Sequence, residues 1–182
     1  MRVITGTARG KRLITVSGDE LVRPTSEKVK EAVFSSIQFD IEGRRVLDLF
    51  AGCGQLGIEA LSRSADSAVF VDASDISVGV IKKNLAATGL SDKAQVVRSD
   101  YSLFCARYSD KFDIAFLDPP YRAGLLEKAL SAVCPLMSDY GIIICEHPSD
   151  VVPEQEINGF TVSRTYRYGK IMVTMYRKGG GL

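Results

Sequence analysis

Asp118-Pro119-Pro120-Tyr121 is the run in this 182-residue chain whose residue types and order suit chemistry most directly. It follows the apolar stretch Phe112-Asp113-Ile114-Ala115-Phe116-Leu117. Two prolines remove two backbone donors and hold their carbonyl acceptors in a rigid turn. The exocyclic amino group of a nucleic-acid base calls for such acceptors, because its nitrogen lone pair is delocalised into the ring. A carboxylate from Asp118 and the Pro119 carbonyl, each accepting one N–H, would direct that lone pair at a sulfonium methyl group. Tyr121 offers a face on which an extruded base can stack. No covalent intermediate is required, so the rate gain would rest on positioning and electrostatics. Alone, the tetrapeptide also reads as a proline-stiffened turn with a capping Asp.

A second cluster supplies the donor. Gly52-Cys53-Gly54-Gln55-Leu56-Gly57 matches G-x-G-x-x-G between a strand-like and a helix-like segment, where backbone can approach a ligand closely. Dinucleotide dehydrogenases use the same string to place a pyrophosphate at a helix N-terminus. Asp48, four residues before Gly52, favours S-adenosyl-L-methionine instead. A carboxylate there repels a pyrophosphate and attracts the ammonium of a methionine moiety. Asp72 is expected to bind both ribose hydroxyls and Asp100 the adenine amino group, with Tyr101 covering the adenine face and Phe50 and Gly54 completing the cofactor set. These acids fall at the ends of successive strands, where open α/β sheets bind ligands. Cys53 has no base or second thiol beside it and reads as loop packing, and His147 as an ordinary loop histidine.

The elements that must position these residues follow from periodicity. Apolar runs at 45–50, 68–72, 95–98, 112–117 and 141–145 alternate with amphipathic stretches, the pattern of a parallel sheet covered by helices on both faces. Helices are expected at about 56–64, from Asp75 to a cap at Gly89, and at about 125–133. Two strands, 161–166 and 171–176, make an antiparallel hairpin at one edge, for seven strands in all. Ahead of the core, Pro24-Thr25-Ser26-Glu27 predicts a helix start leading into Val29, Val33 and Ile37. The expected organisation is a single domain over 1–182, with a basic arm or hairpin at 1–23, a catalytic core at 24–178 and a frayed glycine tail.

Composition bounds the rest. With 46% hydrophobic and 25% charged residues, the chain reads as a globular protein with neither signal peptide nor membrane span. Four scattered cysteines and one histidine fit reduced thiols in a cytoplasm and no metal site. Net charge is +1, yet residues 1–45 hold 9 Lys+Arg against 6 Asp+Glu, and residues 160–182 hold 5 against none. Two basic ends would suit a phosphate backbone if both fold to one side.

Taken together, these segments resemble the family of RNA small-subunit methyltransferase D. The resemblance runs through Arg2-Val3-Ile4-Thr5-Gly6, Gly10-Lys11-Arg12-Leu13, Arg23-Pro24-Thr25, Val46 to Gly52, Gly57 to Arg63 and Asp118 to Tyr121. It implies a Rossmann-like S-adenosylmethionine-dependent methyltransferase fold and transfer of a methyl group to guanine N2 in 16S ribosomal RNA, free or in a small-subunit particle. It also makes Arg23 and Thr25 candidate RNA-site residues, beside Arg2, Arg9, Lys11 and Arg12 of the arm. Cys53 and Gln55 stand where the family more often has Ser and Ala, and Asp72 where it has Glu. Rival readings are a DNA adenine-N6 methyltransferase, a nicotinamide oxidoreductase on the same glycine loop, and a noncatalytic RNA-binding module.

Overall fold

The computed structural model describes residues 1–16, 27–121 and 124–179. Eight strands form one sheet: β1 (Arg45–Leu49), β2 (Ser67–Asp72), β3 (Ala94–Arg98), β4 (Phe112–Leu117), β5 (Met137–Pro148), β6 (Glu156–Ile157), β7 (Phe160–Tyr168) and β8 (Ile171–Lys178). Their order is β3-β2-β1-β4-β5-β8-β7-β6. The first five run parallel, and β5, β8, β7 and β6 pair antiparallel. The expected mostly parallel sheet with an antiparallel C-terminal hairpin is therefore present, with eight strands where seven were expected. The extra one, β6, has only two residues, too few to show an alternating pattern. β5 is also longer than its apolar run, because its ends carry polar residues that only pairing holds extended.

The helices are α1 (Glu27–Ser36), α2 (Gln55–Ser62), α3 (Asp75–Thr88), α4 (Tyr101–Arg107) and α5 (Leu125–Val133). Ser74 caps α3 through its side chain, and Gly89 ends it at φ 75°. The short α4 was not anticipated; only Phe104 of its seven residues is buried, so it carries almost no apolar stripe. Two apolar layers flank the sheet. One gathers α1, α2, α3 and the arm, and includes Val3, Ala8, Leu13, Val33, Phe34, Ile58 and Ile81. The other gathers α4 and α5, with Phe104, Leu126, Leu130, Phe160 and Tyr176.

Among the described residues the arm closes through one antiparallel bridge, between Arg2 and Arg12, and it docks on α2. Buried Glu59 accepts hydrogen bonds from the Ile4 and Thr5 amides at 2.8 and 3.0 Å and from Arg63 Nε at 2.8 Å. Ser62 Oγ donates to the Thr5 carbonyl at 2.6 Å and accepts from the Ala8 amide at 3.0 Å. Gly6, at φ 89°, lies so close to Ser62 that a Cβ would sit 1.7 Å from its carbonyl oxygen. Among the described residues, no helix is long and apolar enough to cross a membrane.

Candidate active site

The strand order reverses between β1 and β4, the switch point at which open α/β sheets form ligand crevices. Leu49 of β1 lies beside Leu117 of β4, so the two chains leave the sheet together. The glycine loop follows one, and Asp118-Pro119-Pro120-Tyr121 follows the other. Sequence separation gave no sign that these segments, over sixty residues apart, are neighbours.

In the glycine loop the three glycines do different work. Gly52 has φ 55° and nothing within 4 Å of where a Cβ would be, which leaves its face open to a ligand. Gly54, at φ 79°, begins α2 and faces Ile81 and Ile58. A Cβ on Gly57 would meet the Phe70 ring at 2.3 Å, so Gly57 serves helix–sheet packing and not ligand approach. Phe50 also has a left-handed backbone, φ 68°, uncommon for a bulky residue and typical of ligand clamps. Its half-buried ring tilts against Tyr101, with centroids 5.2 Å apart.

The expected acids all reach this end of the sheet, with different surroundings. Asp72 closes β2; one carboxylate oxygen accepts from the Gly52 amide at 2.8 Å and the other from the Ser74 amide at 2.9 Å. Asp100 caps α4 by accepting from the Ser102 amide at 2.8 Å, and the Ser102 bonds hold its carboxyl below the usual range. Asp48 lies within β1 and is only 2% exposed, with Oδ2 accepting from the Gly57 amide at 2.9 Å. Burial is the larger influence on Asp48. Together with the charge of Asp72 it pushes the carboxyl up to about 7, while the Gly57 bond pulls the other way. Gln55 Oε1 is buried in the first turn of α2 with no hydrogen-bond partner among the described residues.

At the tetrapeptide, Asp118 is half-buried, Pro119 buried, Pro120 exposed and Tyr121 56% exposed. Burial, then Glu146 and Asp118, push the Tyr121 phenol up to about 12. Glu146, near the end of β5, was not anticipated as a site residue; it is 6% exposed and lines a narrow gap of only about 10 Å³ with Val33, Leu56, Phe116, Leu117, Ile144 and Val173. Its one sequence signal is its place immediately after the apolar run 141–145. A larger cleft, about 200 Å³, lies between α3 and β3 and includes none of the expected site residues.

Other expectations resolve as follows. Arg2, Arg9, Lys11 and Arg12 are exposed, and Arg2 pairs with Glu27 at 3.4 Å. The Gly6–Arg9 turn rests on the last turn of α2, about 12 Å along that helix from the glycine loop. The arm returns at Ile14, where Asn84 bonds both its amide and its carbonyl, and the same Asn84 donates to the Cys53 carbonyl at 2.9 Å. Arg23 and Thr25 lie outside the described residues. Burial raises the Cys53 thiol, in keeping with packing. His147 is buried, its ring nitrogens 2.9 Å from the Pro148 carbonyl and 2.8 Å from Thr174 Oγ1, which makes it a strand-locking residue and not a loop histidine.

The family description conserved hypothetical protein 95 matches residues 1–177. The chain belongs to that family. Protein YlbH of Bacillus subtilis (strain 168), named for rRNA methyltransferase activity, is 38% identical over 99% of this chain and 100% of its own length. Ribosomal RNA small subunit methyltransferase D of Escherichia coli (strain K12) is 38% identical over 78% of this chain and 68% of its own. Among solved structures, the Escherichia coli protein yhhF, described as a methyltransferase, superposes with a TM-score of 0.88 at 31% identity, covering 100% of this chain and 99% of its own. A more distant structure, SMU.776, was crystallised with S-adenosylhomocysteine; at 17% identity and a TM-score of 0.68, covering 81% of this chain and 49% of its own, it shares the fold.

Proposed function

We propose that this protein transfers a methyl group from S-adenosyl-L-methionine to the N2 amino group of a guanine in small-subunit ribosomal RNA. The observation that carries the reading is the meeting of the glycine loop and Asp118-Pro119-Pro120-Tyr121 at the β1/β4 switch point. The names of its relatives support rRNA as the substrate class.

The residues present fit the methyl donor. The open face of Gly52, the unpartnered Gln55 Oε1 and the strand-end acids suit a ligand bearing amide-seeking, ammonium and hydroxyl groups. Asp72 would hold the ribose hydroxyls, Asp100 the adenine amino group, and Phe50 with Tyr101 the adenine ring. Asp48 would face the methionine ammonium. When bound, S-adenosylmethionine supplies an electrophilic methyl on a sulfonium.

Asp118 and the Pro119 carbonyl accept the two N–H bonds of the guanine amino group and turn its lone pair toward that methyl. Asp118 takes up the proton released as the N–C bond forms, and Tyr121 stacks on the base. Mapping of methyl groups in rRNA from cells lacking the protein tests this: one N2-methylguanine in 16S rRNA should vanish, and purified protein should restore it. Label entering DNA adenine alone would overturn the proposal. In the same assay, Asp118→Ala should lower turnover about 100-fold or more while S-adenosylhomocysteine binding persists.

A further inference from the structure

The β7–β8 hairpin carries a basic and aromatic surface that methyl transfer alone does not use. Residues 160–182 hold five Lys and Arg and no acid. Arg177 pairs with Asp40 at 3.1 Å and Lys178 with Asp139 at 2.6 Å. Among the described residues, Arg164, Arg167 and Lys170 form no such ion pair, although Asp40 adds to the field around Arg164.

The ladder decides which side chains share a face. Arg164, Tyr166 and Tyr168 stand opposite Met175, Val173 and Ile171, and alternate strand residues point the same way. Val173 and Met175 belong to the apolar layer that includes α1, and Tyr166 and Tyr168 pack against that layer while remaining half-exposed. Arg164 is exposed, its Nη1 3.4 Å from the Tyr166 phenol oxygen. Partial burial and the neighbouring Tyr166 raise the Tyr168 phenol, so its ring stays uncharged beside a phosphate.

Direction and register connect this stripe to the tetrapeptide. β7 is antiparallel to β8, which is antiparallel to β5, so β7 ends at the same edge as β4. Leu117, Cys145, Thr174 and Thr165 form one row across four adjacent strands. Asp118 and Tyr166, each the next residue, therefore stand level, three strand spacings or about 14 Å apart. That span is about four nucleotides of a stacked strand. Tyr168 lies further toward the rim, and Lys170 occupies the exposed turn.

We propose that Arg164, Tyr166, Tyr168 and Lys170 bind single-stranded RNA flanking the nucleotide held at Asp118, by stacking bases on the two tyrosines and pairing phosphates with the two cations. A half-exposed sheet face with aromatic rings at alternate positions and basic groups beside them fits splayed bases; a duplex hides its base faces, and a protein partner has no need of such regular basic charge. The inference rests on the rRNA reading above and names where the substrate continues beyond the reacting base.

The test is fluorescence anisotropy with a labelled single-stranded RNA oligonucleotide of mixed sequence, and with the same strand annealed to its complement. Tyr166→Ala and Tyr168→Ala should each weaken single-strand binding about tenfold, whereas Tyr166→Phe and Tyr168→Phe should bind like the parent. Arg164→Ala should reduce the salt dependence of binding. Unchanged S-adenosylhomocysteine affinity in each variant shows that the fold survives. Alanine variants that bind single strands like the parent would overturn the proposal. So would variants that keep RNA affinity yet lose turnover on small-subunit particles, which would assign the stripe to a ribosomal protein. If the parent protein binds no RNA at any salt concentration, the rRNA reading itself fails.

Discussion

Lys30 Nζ lies 3.5 Å from Glu59 Oε2 with both side chains fully buried. The pair joins α1 to α2, and each member also holds the arm: Lys30 donates to the Arg2 carbonyl at 2.7 Å, and Glu59 accepts from Ile4 and Thr5. Burial lowers the Lys30 ammonium from its ordinary range, with Glu59 opposing that shift. Removing one partner strands the other charge away from water. Glu59→Ala should cost about 3–5 kcal/mol in chemical denaturation. Hydrogen exchange at the Ile4 and Thr5 amides should rise by more than the global loss explains. The double variant Lys30→Met, Glu59→Met should recover part of that stability, since a buried pair is replaced and not halved.

Asp48 makes stability depend on pH in a defined window. Its carboxyl is raised from 3.8 to about 7, so the folded state holds the proton more tightly than the unfolded chain does. The ligand-free protein should therefore lose stability as pH rises from about 4 to about 7. Asp48→Asn keeps an acceptor for the Gly57 amide and removes the ionisation. Its stability curve should be flatter across that window, and a slope equal to the parent's would refute the assignment to Asp48. Asp72→Asn removes a raising charge and should shift the Asp48 transition to lower pH. Because an ammonium favours the ionised carboxylate, S-adenosylhomocysteine affinity of the parent should increase with pH through about 7 in calorimetric titration.

Tyr121 should act through its ring. With the phenol pushed up to about 12, the hydroxyl stays protonated at every working pH. Tyr121→Phe should retain turnover within about threefold and leave the pH profile unchanged. Tyr121→Ala should raise KM for RNA by about tenfold, the loss of one base-stacking contact, without weakening S-adenosylhomocysteine binding. An equal loss in both variants would transfer the role to the hydroxyl.

Gly57→Ala tests whether the third glycine of the loop packs or binds. The new methyl would meet the Phe70 ring, which is fully buried, at 2.3 Å. Overpacking should outweigh the gain in helix propensity and destabilise by about 1–3 kcal/mol in thermal or chemical denaturation. Gly52→Ala lacks that collision but forces alanine to φ 55° on the face proposed for the ligand. It should lower cofactor affinity more than stability.

Much of this protein is legible from order along the chain. The alternation of apolar runs and amphipathic stretches predicts the parallel strands, because burial on both faces demands uninterrupted apolar residues in each. Gly89 marks the end of α3, since a left-handed backbone demands a residue without a side chain. The tetrapeptide and the acids at 48, 72 and 100 announce themselves by their place at or near the ends of those runs. Strand order, however, is a matter of which surfaces meet, and only the folded sheet sets β1 beside β4, bringing the glycine loop to Asp118. Burial likewise is a tertiary quantity: it turns Asp48 from an open carboxylate into one enclosed beneath the loop, and His147 from a loop residue into a lock between strands. Glu146, the Lys30–Glu59 pair and the Tyr166 stripe were hidden for the same reason. Each gains its meaning from neighbours distant in sequence, and a one-dimensional pattern carries no record of those contacts.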